Sequence, residues 1–149
     1  MDIISGLQSK NNSEAYRLLL MLEEESAASQ SLYGSFEDFL GLLKSGSSFI
    51  RTRGFRLACA QARWDVENKL EAHFDLLLAV LDGGKPTAVR QCLRALRGVI
   101  LYKPQLCGRI AEKLDELDLS KYKDSMRPLM ERDVEELRTL IEEVQRESK

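Results

Sequence analysis

Histidine is nearly absent from this chain, with His73 the single imidazole among 149 residues. A zinc site built on two imidazoles is thereby excluded, and a Ser–His–Asp type triad would depend on that one ring. His73 stands beside Phe74 in an apolar helical pattern, where a structural role is the expectation. Glycine is scarce, and Gly83-Gly84-Lys85-Pro86 lacks the upstream glycine and the preceding strand of a phosphate-binding P-loop. The three cysteines, Cys59, Cys92 and Cys107, are odd in number and form no CxxC pair. Their apolar-patterned surroundings predict buried free thiols in a reducing compartment rather than a disulfide or metal site. No cofactor is expected from any of these features. The longest uninterrupted apolar run is Leu76–Leu81, far below the ~20 residues that span a bilayer. The opening MDIISGLQSKNNSEAY lacks the basic and apolar regions of a signal peptide, so a cytoplasmic protein with no membrane association is expected.

What is present is charge, unevenly placed. The net charge of −2 argues against a wholesale polyanion binder. Residues 1–43 nevertheless carry net −5, residues 44–109 net +7, and residues 110–149 net −4. A basic middle between acidic ends can attract anions locally on a near-neutral molecule. The acidic runs Glu23-Glu24-Glu25 and Glu135-Glu136 fit solvated helix faces, with no spacing that marks metal ligands.

Apolar residues recur with a period near 3.6 almost throughout, which predicts helices. Ser13 is the expected cap of a first helix that runs to the serine-rich stretch 26–31. A second, about 35–44, is expected to stop at a left-handed Ser45-Gly46 turn. Ser47 or Ser48 should cap a third. A fourth is expected over about 66–81, ending at Gly83-Gly84. Pro86 suits the first turn of a fifth, Pro104 opens a sixth, and Ser125 with Pro128 starts a long last helix. The pattern also repeats. Phe36, Phe39, Leu40, Leu42 and Leu43 recur 38 residues later as Phe74, Leu77, Leu78, Val80 and Leu81. In the next helix the offset is 39, matching Ile50-Arg51 with Val89-Arg90 and Leu57 with Leu96. A weaker third copy holds Leu114, Leu117 and Met126-Arg127. Helix–turn–helix units of ~40 residues point to HEAT or armadillo α-solenoids.

Pro86-Thr87-Ala88-Val89-Arg90, with Leu93, Leu96 and Ile100, resembles the second helix of a HEAT repeat, where an apolar-Arg dipeptide follows the interhelical turn. The segments FIRTRGF, ARWD, RQCLRAL and LSKYKDSMRPL make the chain similar to small bacterial HEAT-like proteins of unknown function, some of them labelled "SufBD". The resemblance spans roughly residues 33–130. It implies a fold and no particular activity.

The basic residues fall into rows on two helices. Arg53, Arg56, Ala60 and Arg63 form one stripe, and Arg90, Arg94, Arg97 and Leu101 another. Under the repeat alignment only Arg51 and Arg90 coincide, and the two rows lie about 160° to 200° apart around their helices. Such rows do not merge into one track, which opposes a nucleic-acid groove. Arg51 and Arg90 are expected to be structural, pairing with a neighbouring repeat's carboxylate or capping turn carbonyls. Arg53, Arg56, Arg63, Arg94 and Arg97 are the candidates for a ligand or partner surface. Trp64 should fill a junction between helices. Gly54, which costs about 1 kcal/mol against alanine in a helix, should mark a close approach by the neighbouring repeat. In the last helix Met130, Val134, Leu137, Ile141 and Val144 form a heptad-like stripe, read as a capping face ahead of a dimerisation face.

These readings predict one all-α domain over 1–149. It is a right-handed α-solenoid of about three HEAT-like hairpins at 33–64, 66–102 and 104–147, behind an N-terminal cap at 1–30. The expected function is a non-catalytic protein–protein interaction module, its partner acidic if the arginines meet it. The alternative is nucleic-acid or phosphorylated-ligand binding through the basic middle. No catalytic or metal-ligating set is expected.

Overall fold

Helices begin where the chain supplies a side-chain oxygen. In the computed structural model, which describes residues 2–147, Asp2 caps a short helix α1 (Ile3–Leu7) by accepting from Ile4 N. Sequence periodicity gave no sign of this element. Asn11 rather than Ser13 caps α2 (Asn12–Ala28), its Oδ1 accepting from Glu14 N at 3.1 Å. Asn11 has the extended backbone a cap requires, whereas Ser13 is already helical. A 3-10 turn at Tyr33–Ser35 leads into α3 (Phe36–Leu42). Ser47 caps α4 (Ser48–Ala60) as expected, accepting from Ile50 N at 3.4 Å.

The segment expected as a single fourth helix is broken. After a 3-10 turn at Ala62–Trp64, Asn68 adopts a left-handed φ of 57°. Then come α5 (Lys69–Ala72), an interruption at His73, α6 (Phe74–Ala79) and a further 3-10 turn at Val80–Asp82. The cause is local. The Asp65 carboxylate accepts from Lys69 N and Leu70 N at 2.8 and 3.0 Å, which fixes where α5 starts and forces the preceding residues into a turn. Among the described residues the positive φ values are those of Asn68 and Gly84 (φ 96°), so the Ser45-Gly46 stop is not left-handed. Pro86 opens α7 (Pro86–Tyr102), Pro104–Leu106 forms a 3-10 turn into α8 (Cys107–Glu116), and α9 (Arg127–Glu147) ends the described chain.

α4 lies at the centre, packed on α2, α3 and α7, while α7 packs in turn on α9. The order α2–α4–α7–α9 therefore runs through consecutive contacts, with α1 against α2 and α8 against α9. Thr52, Arg53, Gly54, Phe55, Leu57, Ala58 and Cys59 are all buried, so α4 has almost no solvated face. Its helical wheel hides this, because Thr, Arg and Gly do not count as apolar. The phenyl rings of Phe36, Phe39, Phe55 and Phe74 are fully enclosed, each adding roughly 1.5–3 kcal/mol of burial free energy. Gly54 explains how close α4 comes. A Cβ there would stand 2.6 Å from Phe39 O and 2.7 Å from Leu42 Cβ. The near neighbour is thus α3, the partner helix of the same hairpin, and not the next repeat.

Leu7 at one end and Ile141 at the other belong to one continuous apolar cluster. Of the α9 stripe, Met130, Val134, Leu137 and Ile141 are buried and Val144 packs against them, so this face is spent within the chain. Among the described residues there is no strand, and no helix is long and apolar enough to cross a membrane.

Candidate functional site

α4, the 3-10 turn after it and α7 carry the five candidate arginines, and their surroundings differ sharply. Arg53 is only 4% exposed; its Nη1 donates to Leu7 O and Ser9 O, and its Nη2 to Asn12 Oδ1. All three acceptors are neutral, and burial pulls the Arg53 pKa below its ordinary value. Arg56 is half-buried between α2 and α7. It grips both oxygens of Glu23 at 3.0 and 2.6 Å and donates to Gln91 Oε1 at 2.8 Å. Burial lowers its pKa, and the Glu23 carboxylate more than offsets this, leaving it raised. Arg63 donates to Ala27 O and to the Tyr102 hydroxyl, and lies over the Tyr102 ring at 4.7 Å. Arg53 and Arg56 are therefore not on a solvated face, since the chain N-terminal to the repeat pattern, α1 through α2, covers them, whereas Arg63 stays exposed.

On α7, Arg94 is exposed and reaches Asp133 only at 3.9 Å. Arg97 is exposed beside a shallow groove of about 480 Å³ whose walls on α9 carry Arg132, Glu135, Glu136 and Glu143. The structure does not gather the five arginines. The two residues read as structural differ in detail. Arg90 pairs with Asp133 at 2.7 Å, joining α7 to α9, and this hydrogen bond raises its pKa. Arg51 donates to Ser45 O, within the turn between α3 and α4, and meets no carboxylate among the described residues. Trp64 Nε1 donates to Ser26 O, so the indole ties the end of α4 to the end of α2.

A second group of residues was not singled out by sequence. At the C-terminal ends of α4 and α7, the Asp65 carboxylate accepts from Tyr33 Oη at 2.6 Å as well as from the two α5 amides. Lys103 Nζ donates to Asp65 O and Asn68 Oδ1 at 2.9 and 2.6 Å and lies 3.4 Å from Asp65 Oδ2. Both side chains are buried. The only trace of this network in the sequence is that Asp65 and Lys103 sit 38 residues apart, the repeat offset itself.

The opposite ends of the same helices frame an open groove of about 330 Å³. Its lining comes from the first turns of α2 (Asn12, Ser13), α4 (Ser48, Phe49) and α7 (Thr87, Ala88), with Tyr16, Thr52, Arg53, Lys85 and Gln91. Tyr16 and Phe49 are each about half exposed, at 48% and 49%. Lys85 Nζ sits 5.2 Å from the Phe49 ring centroid and has no carboxylate partner among the described residues. The groove contains no acidic side chain.

Nucleophilic chemistry has little to work with. Cys59, Cys92 and Cys107 are free and buried, as expected from sequence. Burial raises the pKa of each, that of Cys92 to about 12, so the thiols stay protonated and unreactive at neutral pH. Among the described residues no three His, Cys, Asp or Glu side chains are placed to hold a metal ion. No protein-family model matches the chain, and no curated protein or solved structure matches it either.

Proposed function

We propose that this chain is a non-catalytic interaction module, a short right-handed HEAT-like solenoid that receives a protein partner in the groove between α2, α4 and α7. Three supports converge on the solenoid reading. Helices α2, α4, α7 and α9 touch in consecutive order. The residues 38 apart that repeat in sequence are buried in both copies, with Val80 half-buried. Cross-repeat ties recur at similar separations, Arg109 to Asp75 and Lys113 to Asp82 among them. Free thiols fit a reducing, cytoplasmic setting.

One observation carries the binding reading. Arg53, Arg56 and Arg63 are engaged by carbonyls, a carboxylate and a hydroxyl and do not join the exposed Arg94 and Arg97 in a basic track, while the groove leaves two aromatic rings half exposed. Aromatic anchors in a concave, otherwise polar site are what protein interfaces enrich. The test is capture on the immobilised chain. A partner held by the wild type should be lost from Tyr16→Ala/Phe49→Ala, a variant that should fold, and retained by Arg94→Ala/Arg97→Ala. Retention by the aromatic variant would reject the groove. In parallel, labelled DNA and RNA titrated at about 50 and about 200 mM salt should show no binding. Binding that collapses at the higher salt and needs Arg94 and Arg97 would replace the protein partner with nucleic acid.

A further inference from the structure

The groove has an electrostatic deficit that goes beyond its shape. Arg53 is a nearly fully buried guanidinium whose three acceptors are all neutral, with no carboxylate paired to it among the described residues. A buried charge without a counter-charge is costly, and proteins usually pair it. Here the pairing group is missing on the side that faces the groove. Lys85 adds a second cation at the rim, again with no carboxylate.

The backbone is short of acceptors at the same place. Helix α7 has no side-chain cap and no acidic residue in its first turn. Val89 N bonds to Lys85 O, but the N–H groups of Thr87 and Ala88 have no acceptor among the described residues. Both residues line the groove. α4 also lacks an acidic residue in its first turn, and its N-terminus opens on the same space. Helix N-termini attract anions because unpaired N–H groups and the helix dipole act together.

Resting on the interaction-module reading, we propose that the groove binds an acidic peptide segment of the partner. A carboxylate would be held by Lys85, Arg53 and the Thr87 and Ala88 amides, and a neighbouring apolar side chain by Tyr16 and Phe49. A peptide carboxylate suits the site better than a phosphodiester track, for two reasons. The cations are two and local rather than a row, and two half-exposed rings ask for an apolar companion to the charge.

Amide resonances of the full chain, followed while a capped Glu-Glu-Leu-Phe-Glu-Glu peptide is added, test this directly. Thr87 and Ala88 should shift and saturate. The glutamine version of the peptide should bind at least about tenfold more weakly. So should the acidic peptide on Lys85→Asp, whose own carboxylate would occupy the site. Equal affinity for the glutamine peptide, or shifts that avoid Thr87 and Ala88, would overturn the proposal. Inorganic phosphate saturating these two amides while the peptide leaves them unmoved would overturn it in favour of a phosphate ligand. A captured partner that is lost from Tyr16→Ala/Phe49→Ala but kept by Lys85→Asp would reject the anion site and leave the module standing.

Discussion

The two ends of α4 and α7 are built on opposite principles. At their C-terminal ends most buried polar groups find partners in one another: Asp65 takes three hydrogen bonds through its carboxylate, Lys103 finds three oxygens, and Trp64 and the Gln61 amide N–H reach back to Ser26, while Gln61 Oε1 stays buried without a partner among the described residues. At their N-terminal ends a buried guanidinium is held by neutral acceptors alone, and a rim ammonium and two backbone N–H groups border the groove. The first end fixes how the helices sit relative to one another. The second end leaves a buried charge without a counter-charge and an uncapped helix start, both of which an added acceptor would stabilise. Polar residues in one small helical domain thus divide into those spent on the fold and those held in reserve.

Removing the matched end should have the largest effect. Asp65→Ala strips acceptors from Tyr33, Lys69 N and Leu70 N and leaves the Lys103 ammonium buried without its counter-charge. Loss of one member of a buried pair costs about 3–5 kcal/mol, and urea denaturation should show a loss in that range. Tyr33 gives the same network a pH signature. Burial, followed by its hydrogen bond to Asp65, pushes its pKa from 10.0 up to about 12. A phenol favoured in its protonated form lends stability that is complete below pH 10 and is lost as pH rises through 12. Wild-type urea midpoints should therefore fall more steeply across that window than those of Tyr33→Phe. Parallel curves would detach Tyr33 from the network.

Next in size is the close contact that holds α3 on α4. Gly54→Ala gains helix propensity, but its Cβ meets the Phe39 carbonyl and the Leu42 side chain well inside van der Waals distance. Backbone on one side leaves little room to yield, and a net loss of about 1–3 kcal/mol is expected. Gly98→Ala in α7 is the control. Its Cβ would lie 3.8 Å from Cys59 O, an ordinary contact, so the helix gain of up to about 1 kcal/mol should appear as stabilisation. Arg56→Ala falls between these, losing about 1 kcal/mol with its partly buried, two-pronged grip on Glu23.

Helix content and the buried apolar set were legible because they rest on periodicity, and Phe36, Phe74, Leu93 and Leu96 are buried where their spacing put them. The late start of α5 at Lys69 was not, because it follows from Asp65 bonding amides four and five residues ahead, and no apolar pattern records a side-chain oxygen. The fate of Arg53 and Arg56 escaped for a related reason. A helical wheel shows which residues share a face but not which helix covers it, and α2 lies outside the repeat that was aligned. Asp65 and Lys103 look like surface residues one at a time. Only their separation by the offset at which the sequence repeats would have hinted that they meet.

The smallest expected effect bears most directly on the open end. Lys85 occupies the position before Pro86 with φ −72° and ψ 147°, the extended backbone of a helix N-cap, yet its side chain caps nothing. An aspartate there can accept from the Thr87 or Ala88 amide and place a negative charge at the positive end of a 17-residue helix. Lys85→Asp should therefore raise stability by about 1 kcal/mol, read as a higher urea midpoint at unchanged slope. A substitution that stabilises the free chain while weakening its affinity for an acidic peptide would mean that the N-terminal end gives up stability for binding, a trade common at functional sites. If Lys85→Asp instead leaves the midpoint where it was, the Thr87 and Ala88 amides are already well satisfied by water, and the contrast between the two helix ends shrinks to Arg53 alone.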